Sequence, residues 1–346
     1  MVYIPAPPAV DAGSSTNSAQ GFVDASGRLS HELRAYARDV ADTRDIPLAR
    51  VETILRSARY NPTVARLVTP RKTRIRRSWV TYRRRFVDAV RIDSGVDFWT
   101  GHRAVLDAAA AEYGVPPSII VAIIGVETIY GRQTGNFLVL DALATLGFRN
   151  PDTARPERSN MFRNQLADLI QLDHEHKLDA LTIRGSYAGA IGLPQFMPGS
   201  LMRFAVDGDH DNVVDVRGEP ADAIASVANY LRQHGWVPGL PVFAPVALPD
   251  DAGRLVDGGL HANLPWPQLK AQGARTRPGV PQEAPWKQYP LGVVDLIDEP
   301  RHLNEYRTGT PNFFAITHYN HSYFYAASVA DLAQAIARRM GYGWPD

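Results

Sequence analysis

One carboxylate stands apart by its surroundings. The segment Ser118-Ile-Ile-Val-Ala-Ile-Ile-Gly-Val-Glu127-Thr-Ile-Tyr-Gly131 is apolar on nearly every side. A helix apolar all round belongs in a core. The pattern predicts a helix from Ser118 to Tyr130 with Glu127 in its last turn, ahead of Gly131, a residue type that commonly closes helices. Apolar neighbours penalise the ionised carboxylate, and the negative pole of the helix acts in the same direction. Glu127 should therefore keep its proton to higher pH than a free glutamate, as protonation of a glycosidic oxygen requires. The competing reading is a structural carboxylate paired with a cation such as Arg132.

A second constellation lies at Arg184-Gly-Ser186-Tyr187-Ala-Gly189-Ala-Ile-Gly192-Leu-Pro194-Gln195-Phe196-Met-Pro198-Gly199-Ser200. Four glycines and two prolines in this stretch imply an irregular backbone that something approaches closely. Ser186, Tyr187 and Gln195 offer hydroxyl and amide groups suited to neutral, hydroxyl-rich ligands. Tyr187 and Phe196 offer flat faces of the kind sugars lie against. A phosphate cradle lacks support, since neither GxxxxGK[ST] nor GxGxxG is present. A tight loop between helices is the plain alternative.

The third is Asp207-Gly-Asp209-His-Asp211-Asn212-Val213-Val-Asp215. Acids at positions 1, 3, 5 and 9, with the Val213 carbonyl at position 7, follow the spacing of an oxygen-ligand loop around calcium. Asn212 at position 6 is compatible, because asparagine visits the left-handed region. Position 12 is Gly218, so Glu219 or Asp222 would have to close the shell. Three acids within five residues repel one another unless a cation lies between them; a solvated acidic turn is the alternative. With one such loop, a structural role for Ca2+ is expected.

Other groups point to less. His174 and His176 are two apart on an expected helix and so face different ways. HExxH and GxSxG are absent. The chain has no cysteine, which removes thiol nucleophiles, thiolate zinc sites and a lipidated cysteine. Residues 71–85 hold eight basic residues with Trp79 and Tyr82 among them. A nucleic-acid partner would need a wider field than 37 basic against 36 acidic residues provide, so a solvated helix face is expected there.

These groups require a scaffold, and 346 residues with 45% hydrophobic and 21% charged composition are enough for a large core or two to three modest domains. No window reaches the roughly 18 apolar residues of a membrane helix. Met1 to Val10 has no basic start and no apolar run, so a secretory signal is not expected within this chain. Helices are expected in two pieces between Ser30 and Ser57, over Trp99–Tyr113, and at 160–172, 199–206, 220–234 and 321–340. Residues 237–290 carry ten of the 26 prolines. With short strand-like runs at Val242–Leu248, Leu291–Ile297 and Phe313–Thr317, they suggest a small antiparallel β subdomain inserted in a predominantly helical α+β chain. The expected division is a loose tail over 1–27, a helical domain over 28–97, a core over 98–236, the β-rich part over 237–318, and a C-terminal helix over 319–346 returning to the core.

Taken in order, several segments resemble the lytic murein transglycosylase B family. They are Phe98-Trp99, Tyr113-Gly-Val-Pro-Pro117, Ile124-Gly-Val-Glu127-Thr with Gly131, and Gly185-Ser-Tyr-Ala-Gly-Ala190. The series continues through Gln195-Phe-Met-Pro198, Ala228-Asn-Tyr230 with His234-Gly-Trp236, and Tyr319-Asn-His-Ser322. The resemblance covers roughly residues 75–340. It implies a lysozyme-like catalytic core and non-hydrolytic cleavage of the β-1,4 bond between N-acetylmuramic acid and N-acetylglucosamine, with a 1,6-anhydro product. It implies Glu127 as acid and then base. Ser186 and Gln195 would bind the sugar, Tyr230, Tyr319, Asn320 and Tyr325 would line the cleft, and Tyr82 matches a further cleft tyrosine. It implies calcium at Asp207, Asp209, Asp211, Val213 and Asp222. Around Arg158, a further candidate for substrate contact, Glu157 and Met161 stand where the family often has an arginine and a cleft tyrosine. The implied partners are glycan strands, with cell-wall synthesis or division proteins as candidates, and the implied location is periplasmic or otherwise extracytoplasmic.

Ordinary glycosidases need two carboxylates about 5 to 9.5 Å apart. One acid suffices when the substrate supplies its own nucleophile, here the C6 hydroxyl attacking C1. Asn320 or Ser186 would then position the acetamido group. A lysozyme-type muramidase and a non-catalytic wall-binding protein are the alternatives.

Overall fold

The computed structural model describes residues 22–70, 74 and 76–343. The apolar run forms the helix Pro117–Thr128, with every residue from Ser118 to Val126 buried. Proline at its start suits a position whose N–H has no helical partner. This helix runs through a core built from Ala89–Gly101, Arg103–Tyr113, Pro220–Gln233, Pro311–Tyr319 and Tyr323–Arg339. Each fully buried isoleucine there contributes about 1.5–3 kcal/mol of transfer free energy. Among the described residues no single helix is long and apolar enough to cross a membrane.

A second cluster joins the helices His31–Arg44, Leu48–Ser57 and Pro62–Val68 to Val139–Phe148 and Pro156–His174. The last two, expected within the 98–236 core, thus share their buried residues with the N-terminal helices. A third cluster gathers Leu240, Leu269, Trp286 and Leu291. The largest sheet is the antiparallel hairpin Gly292–Asp298 with Leu303–Gly309, in register from Gly292↔Gly309 to Asp298↔Leu303. Alternation along its first strand sends Val293 into the third cluster and Val294 and Leu296 into the first. One strand therefore ties the β-rich part to the helical core.

Several expectations are corrected. The apolar helix stops at Thr128, because Ile129 and Tyr130 already adopt left-handed φ values of 50° and 55°. The segment expected over Trp99–Tyr113 is two helices that meet at His102. Phe313–Thr317 is helical rather than extended: Thr310 caps Asn312 N–H and Pro311 opens the turn, signals that outweigh a short apolar run. Val242–Leu248 yields the two-residue strand Val246–Ala247, paired with Arg275–Thr276, and an isolated antiparallel bridge from Phe243 to Gly309 at the hairpin's edge. Within the expected tail, Phe22 is buried and Val23 bridges Leu29; residues 1–21 lie outside the described part. Of the basic stretch, the described Arg74, Arg76, Arg77, Arg84 and Arg85 are exposed, as expected of a solvated face, but some of its side chains are tied to the rest of the chain. Trp79 is buried, Arg74 and Arg77 pair with Glu299, and Arg83 pairs with Asp331.

Candidate active site

Glu127 is half-buried at the end of its helix. The chain leaves through three left-handed residues, Ile129, Tyr130 and Gly131. A β-branched residue in that region is costly, and such strain persists only where its surroundings hold it. Thr128, fully buried, supplies part of that hold. Its Oγ1 lies 3.1 Å from Leu193 O and 3.2 Å from Ile124 O, and accepts from Gly131 N–H at 3.1 Å. Tyr130 donates its hydroxyl to Arg91 O at 2.9 Å.

Burial pushes Glu127 up to about 7. The hydroxyl of Tyr325 donates to Oε1 at 2.6 Å and acts the other way, as the smaller effect. Arg132 is exposed and makes no ion pair with Glu127, so the partner is a phenol rather than a cation. Tyr325 is itself fully buried on the Tyr323–Arg339 helix.

Around this pair stands an aromatic wall. Tyr319 stacks on Tyr325 with centroids 6.3 Å apart and planes at 14°. Tyr230 meets Tyr319 edge-on at 4.8 Å, and Phe196 lies 5.5 Å from Tyr230 and 5.9 Å from Tyr319. The hydroxyl of Tyr319 donates to Pro194 O and that of Tyr230 to His318 O, both at 2.7 Å. Burial lifts both phenols above the ordinary tyrosine range. With hydroxyls committed to main chain, the two rings offer faces rather than protons.

Asn320 follows Tyr319 and is buried, yet its Oδ1 has no hydrogen-bond partner among the described residues. An unpartnered buried acceptor costs about 1–3 kcal/mol, which a ligand's N–H would recover. Tyr82 lies against Phe86 and Phe324, beside Tyr325 in the chain.

The glycine-rich loop packs tightly. A Cβ on Gly185 would sit 2.2 Å from Ala190 O, and one on Gly192, at φ 73°, would sit 2.5 Å from Val216 O. Ser186 accepts from Ala190 N–H at 3.0 Å. Gln195 is itself left-handed, and its Nε2 donates to Gly192 O at 2.9 Å and Thr134 O at 3.1 Å. The next residue, Phe196, carries the loop into the aromatic wall. Arg158 shares Asp152 with Arg155, and its charge also acts on Tyr187 of this loop.

The structure adds residues that the sequence reading missed. Thr128 had a signal, as a polar side chain in an apolar run. His234 stacks on Tyr230 at 4.0 Å and His318 lies 5.0 Å from His234, a meeting that nothing in their spacing foretells.

The acidic loop is a separate site. One carboxylate oxygen each from Asp207, Asp209 and Asp211 lie within 4.8 Å of one another. That spread fits a cation holding oxygens at roughly 2.3–2.6 Å. Asn212 has φ 71°, as position 6 requires. Asp222, fully buried, clamps the loop by accepting Gly208 N–H at 2.7 Å and Asp215 N–H at 2.6 Å. The N–H of Val213 donates to Asp211. Desolvation, and then the charges of Asp211 and Asp222, hold Asp209 above the usual carboxylate range. The donor set suits a hard divalent cation.

Residues 29–334 match the family model described as the transglycosylase SLT domain. The chain is 38% identical over 260 residues to the membrane-bound lytic murein transglycosylase B of Escherichia coli K12, covering 75% of this chain and 68% of that protein. The soluble lytic transglycosylase SltB1 of Pseudomonas aeruginosa superposes with a TM-score of 0.79 at 37% identity, over 90% of this chain and 99% of that one. The Escherichia coli lytic transglycosylase Slt35 in complex with calcium gives 0.74 at 33% identity, over 89% and 93%. SltB3 of Pseudomonas aeruginosa in complex with NAG-anhNAM-pentapeptide gives 0.72 at 29% identity, over 92% and 80%.

Proposed function

The chain belongs to the transglycosylase SLT-domain family and is a lytic transglycosylase of peptidoglycan, and from that premise we propose that it cleaves the MurNAc-β-1,4-GlcNAc bond without water. The observation that carries this reading is a lone glutamic acid, raised to about 7, facing a phenol. No second carboxylate among the described residues contributes to its titration.

In the first step Glu127 gives its proton to the bridging oxygen as the bond to C1 breaks, and the departing chain leaves as an alcohol. Glu127, now a carboxylate held by Tyr325, takes the proton of the C6 hydroxyl while O6 bonds to C1. The 1,6-anhydro ring closes and the acid is regenerated, so no atom from solvent is consumed. The Phe196, Tyr230 and Tyr319 rings exclude water and support the sugar. Asn320 Oδ1, which lacks a partner among the described residues, is suited to the acetamido N–H, with Ser186 and Gln195 on the neighbouring loop and Tyr82 at the wall's edge. The complex of SltB3 with an anhydro muropeptide supports the product assigned here.

Asp207, Asp209, Asp211, the Val213 carbonyl and Asp222 would hold Ca2+ as a structural ion; the calcium complex of Slt35 supports this. Such an ion stiffens the loop that meets Leu193 N–H through Val216 O, at 3.0 Å. A peptidoglycan substrate lies outside the cytoplasmic membrane, which supports a periplasmic or otherwise extracytoplasmic place of action. Digestion of purified sacculi with the wild type and Glu127→Gln tests the assignment. The wild type should release soluble muropeptides and the variant should lose at least about a thousandfold in rate; an active variant overturns the role of Glu127.

A further inference from the structure

A pocket of about 250 Å³ adjoins the sugar-binding loop and has no part in the reaction described. Thr134, Gly135, Thr182, Arg184, Gly192 and Arg217 line it. Its charges are unequal. Arg217 is held by Asp215 at 3.1 Å, and Thr182 donates to Asp179 at 2.9 Å. Arg184 donates only to the neutral Asn136, at O (3.0 Å) and Oδ1 (3.3 Å), and has no carboxylate partner among the described residues.

Two observations put this pocket next to the cleft. Gln195 donates its amide to the carbonyls of Thr134 and Gly192, both of which line the pocket, so the two share a wall. Arg184 pairs with Leu138 and Gly185 with Phe137 across a short antiparallel ladder. Gly185 is buried against Ala190 and Val139, while Arg184 before it in the strand is exposed, and Ser186 follows where the strand ends. An unpaired guanidinium is suited to planar carboxylates, which it grips with two hydrogen bonds.

We propose that this pocket is a carboxylate-binding subsite for the peptide carried by the muramoyl sugar, with Arg184 as its anion-binding residue. The proposal rests on the reading of peptidoglycan as substrate. The glycan backbone is uncharged where the lactyl carboxyl is amidated, so an anion recognised beside Ser186 and Gln195 belongs to the peptide.

The test compares kcat/KM on glycan strands bearing peptides with kcat/KM on the same strands stripped of peptide by an amidase. It uses the wild type, Arg184→Gln and Arg184→Lys. The wild type should prefer peptide-bearing strands, and Arg184→Gln should lose about tenfold of that preference. Arg184→Lys should retain an intermediate share. The ratio is taken within each protein, so a loss of folded enzyme cancels. An Arg184→Gln ratio equal to that of the wild type, or a wild type without preference, overturns the subsite. A wild type that cleaves neither strand instead overturns the function on which the subsite rests.

Discussion

At the scale of the residue, one proton decides the account. Glu127 must be protonated to begin, so the rate should fall as pH rises through about 7. The hydrogen bond from Tyr325 favours the carboxylate, hence Tyr325→Phe should move that alkaline limb upward by about one unit while slowing the reaction. A shift downward would contradict the assigned donor. The same proton sets a stability balance. The folded value of Glu127 lies above the ordinary 4.5, so its contribution is complete below about 4.5 and is lost as pH rises through about 7. The full span is about 3 kcal/mol at most. Glutamine does not titrate, so Glu127→Gln should melt above the wild type at pH 8, with the gap closing toward pH 4. Thermal melts at both values would check this; a gap independent of pH would mean that the carboxylate is solvated. The apolar run made the raised acid legible in the sequence. The resemblance placed Tyr325 in the cleft, but its hydrogen bond to Glu127 was not legible, since 198 residues separate the two and only the fold brings them together.

At the scale of the element, the site depends on how the Pro117–Thr128 helix ends and on what meets it there. Gly192 has no room for a side chain: φ is 73° and Val216 O would lie 2.5 Å from a Cβ. Gly192→Ala should therefore cost about 2 kcal/mol or more of stability and weaken sugar binding by moving Gln195. Denaturant unfolding and KM measure the two; an unchanged protein would show that the loop is loose. Thr128→Val should lower kcat by removing the bridge between the helix end and Leu193, and Thr128→Ser should restore much of it. Helix starts were legible where proline or a capping side chain marked them, as at Pro117, Pro198 and Pro220. Helix ends and short apolar runs were not. Ile129 and Tyr130 turn left-handed although neither residue type favours it, and Phe313–Thr317 has no periodicity that separates strand from helix.

At the scale of the whole molecule, the buried side chains fall into three clusters, of which the first holds the helix that carries the acid, and the chain after the acidic loop meets Leu193 through Val216 O. Calcium should raise the melting temperature, with stabilisation of about 4 kcal/mol at a thousandfold excess over the dissociation constant, and Asp209→Asn should abolish most of the rise. No response to calcium or its chelation would leave that loop without an ion. Within the basic stretch, Arg74 and Arg77 pair with Glu299 and Arg83 with Asp331, contacts across more than 200 residues that no local pattern announces. The separation of the buried clusters was less legible, because Val139–Phe148 and Pro156–His174 join helices far earlier in the chain. The central claim is that the substrate's own hydroxyl, and not water, closes the reaction. Digestion of sacculi in water enriched with heavy oxygen, followed by mass analysis, tests it directly. The account predicts muropeptides one water lighter than hydrolysis products and free of the label; a heavy oxygen at a new reducing end would contradict it.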